Sequence, residues 1–116
     1  MWVSVDLCVV PIGVGVSLSP YVASCEKVIR ATGLTHQLGP NGTAIEGPWD
    51  AVMDCVRACH DALHAIGAPR IYTTLKLNTR IDREQSFLDK VASVEQQLQG
   101  RNLKKFRGFQ AAGIDG

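Results

Sequence analysis

Residues 3–10 alternate, with Val3, Val5, Leu7 and Val9 on one side and Ser4, Asp6, Cys8 and Val10 on the other. Period two marks a strand with one buried face. Pro11 and Gly13 predict its end, and Gly13-Val14-Gly15 a flexible crossing. Ser19-Pro20 predicts a helix start, with the hydroxyl as N-cap and proline at the first helical position, where its missing N–H is not needed. Val22, Cys25, Val28 and Ile29 recur at helical spacing as far as Gly33, a natural C′ residue. Residues 34–38 and 43–46 predict two short strands around the turn Gly39-Pro40-Asn41-Gly42, and Gly47-Pro48 closes the second. A helix over about 49–66 follows, with Val52, Cys55, Val56, Cys59, Leu63 and Ile66 on one stripe and Gly67 as its stop. Residues 70–80 alternate again, setting Ile71, Thr73, Leu75 and Leu77 against Tyr72, Thr74, Lys76 and Asn78. Phe87, Val91, Val94 and Leu98 mark a third amphipathic helix over about 83–98. No period continues after Gly100, so a domain over 1–99 and a mobile basic tail over 100–116 are expected.

The order matches an α+β fold, the ferredoxin-like βαββαβ sandwich with an additional C-terminal helix. Right-handed crossovers would place the first two helices on one face of the sheet and the first strand between the third and the last. The opposite face, with Ser4, Asp6, Cys8, Tyr72, Thr74, Lys76 and Asn78, has no helix in the basic fold to cover it. Such a face is wet, sealed by another subunit, or the wall of a ligand site.

Composition narrows the function classes. A chain of 116 residues with 46% hydrophobic and 20% charged residues suits one globular domain. A net charge of +1 gives no reason to expect a nucleic-acid partner, and Arg101, Lys104, Lys105 and Arg107 read as a solvated cluster. No segment approaches the roughly 18 apolar residues of a membrane span. The apolar start lacks a basic flank and is interrupted by Asp6, so no membrane partner and a cytoplasmic location are expected. Cysteines at 8, 25, 55 and 59 then read as reduced thiols, and Asn41-Gly42-Thr43 as turn chemistry rather than a glycosylation site.

Candidate chemistry is sparse. Cys55-x3-Cys59-His60-x3-His64 has the look of a zinc site, but on a helix the two cysteines and the two histidines lie on stripes on the order of 100–140° apart. The cysteines therefore read as core and the histidines as solvent-facing. No nucleophile–base pairing accompanies Ser17, Ser19, Cys25 and His36, and Gly13-x-Gly15 is too short for a dinucleotide fingerprint. No catalytic residue, metal ligand or cofactor is expected. Asp6 and Glu46 stand in strands where an unpaired carboxylate would cost several kcal/mol if buried, so each should be paired, exposed or ligand-facing. Lys76 is expected on the same face as Asp6.

Val9-Val10-Pro11-Ile12-Gly13, Ser17-x-Ser19, Gly42-Thr43-Ala44-Ile45-Glu46-Gly47-Pro48-Trp49-Asp50 and Thr73-Thr74-Leu75-Lys76-Leu77 resemble the small thiamine-binding, YkoF-like family, especially its short single-domain eukaryotic members. The resemblance runs from about residue 3 to 98. It implies a ferredoxin-like fold whose sheets pair into dimers and dimers of dimers. It also implies non-catalytic binding of thiamine or a related pyrimidine. Glu46 or Asp6 would then balance the cation, Thr43, Ser17 and Thr74 would hydrogen-bond, and Tyr72 or Trp49 would stack. The competing expectation is a structural or regulatory oligomer with no small ligand.

Overall fold

A computed structural model describes the backbone over residues 1–82 and 86–111, with side chains to residue 99. It contains β1 (Trp2–Ile12), α1 (Ser19–Thr32), β2 (Thr35–Leu38), β3 (Thr43–Pro48), α2 (Trp49–Ala65), β4 (Arg70–Thr79) and α3 (Phe87–Ala111). The four strands form one sheet in the order β2-β3-β1-β4, with antiparallel neighbours throughout. This is the expected α+β arrangement, with β1 between β3 and β4.

Alternation decides which face each strand buries. Val3, Val5 and Leu7 of β1 and Ile45 of β3 pack with Cys25 and Ile29 of α1 and Val52, Cys55, Cys59 and Leu63 of α2 in a single core. Gly47 lets Leu34 close this core from the side, for a Cβ there would lie 2.7 Å from Leu34 Cδ2. The other face exposes Asp6, Tyr72, Thr74, Lys76 and Asn78, as the pattern predicts. Asp6 is paired in register with Lys76.

Several boundaries differ from expectation: β3 runs on to Pro48 where an end at 46 is expected, and three others bear on the site or the tail. Ser19 is the first helical residue, not the cap. The N-cap is Leu18, whose carbonyl accepts from the amides of Tyr21 and Val22 at 3.0 Å, and no side chain caps the helix. A serine cap is worth about 1 kcal/mol, whereas Leu18 in the cap position turns its side chain into the wall of a cavity. Second, β1 does not stop at Pro11 but pairs Pro11 with Ile71 and Ile12 with Arg70. Proline is tolerated there because that stretch of β1 has β4 on one side and no strand on the other. Third, α3 runs to Ala111, past the end expected near residue 98. The side chains of its basic cluster and residues 112–116 lie outside the described residues, as does the expected start of this helix at Arg83. Residues 1–83 form one compact unit and residues 84–116 another. Within the second, Val91, Val94 and Leu98 of the apolar stripe are exposed.

Candidate functional site

The register of β3 creates a gap. β3 begins at Thr43, opposite Leu7, whereas β1 runs five residues further. Beyond Thr43 the chain turns away through Gly42-Asn41-Pro40-Gly39 towards β2, held by the Gly39 amide donating to the Gly42 carbonyl at 2.7 Å. α1 passes over this gap, and between helix, strand and turn lies a cavity of about 350 Å³. That is the lower range of small-molecule sites. Its wall is mainly apolar, and its rim includes Val10, Val22 and Leu38, which are 36%, 44% and 54% exposed. Apolar side chains left open around a concavity suit a ligand with an apolar body.

One charged group lines this cavity. Glu26 of α1 is 8% exposed. Its Oε1 accepts from the Thr43 hydroxyl at 2.6 Å, and its Oε2 has no hydrogen-bond partner among the described residues. A buried carboxylate oxygen without a donor is costly, so this one calls for an N–H donor or a cation. Glu26 escapes the sequence reading although its signal is there. Val22, Cys25, Glu26 and Ile29 fall at i, i+3, i+4 and i+7, so the carboxylate stands on the buried stripe of its helix.

Of the six residues singled out from sequence, the cavity gathers only Thr43. Glu46 lies three residues on in the same strand, and an odd offset puts it on the opposite face. There it is 2% exposed, in register with Ser4 and Thr35. Asp6, Tyr72 and Thr74 share that opposite face, in register with Ala44, Val10 and Cys8 respectively, and all three are exposed. Ser17 is exposed in the connection before α1 and takes no part in the cavity wall. Trp49 sits at the start of α2, its amide donating to the Met1 carbonyl at 2.8 Å.

The cysteines and histidines of α2 divide as helix geometry demands. Cys55 and Cys59 are buried, and Cys25 of α1 meets them. Cys59 Sγ donates to the Cys25 carbonyl at 3.9 Å, and hydrogen bonding among the three neighbouring thiols pushes Cys59 up and Cys25 and Cys55 down from the usual thiol value. His60 is not solvent-facing as expected, because its Nε2 lies 2.6 Å from the Thr73 hydroxyl of β4 and the ring is half-buried. His64 is exposed, with Nδ1 2.8 Å from the Ala68 carbonyl. Among the described residues no three His, Cys, Asp or Glu side chains are grouped to hold a metal. No described helix is long and apolar enough to cross a membrane.

The chain is a ferredoxin-like α+β domain with a carboxylate buried under its first helix. Comparison with known proteins narrows this. Residues 5–95 match the family described as thiamine-binding protein. A UPF0045 protein of Synechocystis is 54% identical over 99 residues, covering 85% of this chain and 82% of the relative. One from Eremothecium gossypii is 44% identical over 95 residues, covering 81% and 90%. Among solved structures, a Thermotoga maritima protein provisionally assigned to thiamine biosynthesis or salvage superposes with a TM-score of 0.71 at 23% identity, over 81% of this chain and 99% of its own. The chain belongs to the thiamine-binding protein family.

Proposed function

We propose that the protein binds thiamine or a related pyrimidine, without catalysis, in the cavity between α1, β1 and the β2–β3 turn. The observation that carries this is the unpartnered Oε2 of Glu26, a buried acceptor in an otherwise apolar wall. Thiamine combines a flat apolar body with a cationic thiazolium and an amine, so it offers this oxygen what the protein does not. Thr43 holds the carboxylate in place through Oε1. Membership of the thiamine-binding family supports the same ligand class. The protein acts as a homo-oligomer, a reading supported by the exposed Tyr72 and Trp2, at 62% and 52%.

Calorimetric titration of thiamine against the wild type and Glu26→Gln tests the reading. A charge-assisted hydrogen bond contributes roughly 1.5–3 kcal/mol. The variant should therefore bind about ten-fold or more weakly while melting near the wild-type temperature, since the amide still accepts from Thr43. Glu46→Gln, on the other face, should leave the affinity as it is. Equal affinity of Glu26→Gln and the wild type would remove the cavity from consideration.

A further inference from the structure

The cavity has a polar edge that no side chain supplies. In an antiparallel pair the main-chain groups of successive residues point alternately to the two sides of the strand. A Cβ on Gly42 would lie 3.0 Å from the Leu7 carbonyl oxygen, so that carbonyl points towards β3 rather than β4. The turn agrees. The Gly39 amide bonds the Gly42 carbonyl, which directs Gly42 towards β2 and its neighbour Thr43 towards β1 and Leu7. Two residues beyond Leu7, Val9 therefore directs its N–H and C=O to the same side, where β3 has ended. Pro11 follows with the same parity, and its lack of an N–H costs no ladder bond on an edge without a partner strand. Val9 lines the cavity, and the alternation places its donor and acceptor side by side on the edge of β1 where the cavity lies.

We propose that this main-chain edge of Val9 is the specificity determinant of the site, reading a ring-nitrogen acceptor next to an exocyclic amine, the edge of a 4-aminopyrimidine. The inference rests on the ligand reading above. The N–H of Val9 donates to the ring nitrogen and its C=O accepts from the amine, while Glu26 takes the cationic part of the same ligand. The gap selects a small ring over an added peptide strand. An extended chain continuing the line of β3 would run into the turn Gly39–Gly42, and α1 roofs the same space with Leu18 and Val22.

Binding of thiamine and of oxythiamine to the full chain tests this by calorimetry. Oxythiamine replaces the amine by an oxo group and puts a hydrogen on the neighbouring ring nitrogen, so donor would face donor and acceptor would face acceptor. A site built around a hydrogen-bonding pattern rejects its reversal strongly, and oxythiamine should bind on the order of a hundred-fold more weakly. Val9→Pro removes the donor on the open edge alone, and should weaken thiamine binding about ten-fold. If the proline variant does not fold, the oxythiamine contrast decides by itself. Equal affinities for the two ligands, or a folded Val9→Pro with unchanged thiamine affinity, would overturn the edge reading and leave the Glu26 cavity standing. A wild type that binds neither compound would overturn both.

Discussion

Two side chains far apart in sequence hold the site together. Thr43 is 5% exposed and Glu26 8%, and the Thr43 hydroxyl donates to Glu26 Oε1 across 2.6 Å. Thr43→Val keeps the shape but removes the donor, leaving both oxygens of Glu26 without one from this strand. We expect it to destabilise the fold by about 1–3 kcal/mol in chemical denaturation. Added thiamine should restore part of that loss by mass action. A melting curve that thiamine does not move would count against the ligand. The packing of Gly47 makes a separate point. Its missing Cβ would come 2.7 Å from Leu34 Cδ2, the end of a side chain that is half-buried against the core. Gly47→Ala should destabilise by roughly 1–3 kcal/mol through overpacking. Combined with Leu34→Val it should cost less than the sum of the two single changes, which a double-mutant cycle measures. Additive losses would mean that Leu34 is not what the new methyl meets.

At the scale of the element, β1 behaves as two strands in one. From Val3 to Leu7 it is paired on both sides, and from Cys8 to Ile12 only with β4. Proline scanning should reveal this. Val10 directs its N–H to β4, opposite Tyr72, so Val10→Pro removes a ladder bond and should cost about 1–3 kcal/mol. Val9→Pro faces the open edge and should cost far less. Equal losses at both positions, read from urea midpoints, would contradict the assigned alternation. α1 shows a related economy: its cap residue is a leucine because the same position also walls the cavity, and Pro20 in the first turn needs no amide partner.

For the whole molecule, the helices of the first unit cover one face of the sheet and leave the other exposed at Asp6, Tyr72, Thr74 and Lys76. Tyr72, 62% exposed beside Val10 at 36%, gives this face an apolar centre within polar surroundings. We expect self-association through it, and Tyr72→Glu should shift the sedimentation coefficient towards the monomer while thiamine affinity persists, since Tyr72 takes no part in the cavity wall. A wild type that sediments as a monomer at micromolar concentration would refute the expectation.

The elements and their order were legible in the sequence because each depends on a window of ten or so residues. Val3-x-Val5-x-Leu7 carries its own period and buried face. So does the stripe of α2, and helix geometry alone separated Cys55 and Cys59 from the histidines. The opposite faces of Thr43 and Glu46 were also written there, in an offset of three within one strand. The placement of Glu26 against Thr43 was not, since the two are 17 residues apart and meet only through the crossing of α1 over the sheet. The cavity itself exists because β3 stops where β1 continues, a matter of register between strands. Pro11, which the pattern alone reads as the end of β1, lies on that free edge, and only the pairing of strands could say so. Local periodicity determined the elements and their faces; the tertiary structure alone decided which polar groups converge, because convergence depends on crossing geometry and register that no single segment encodes.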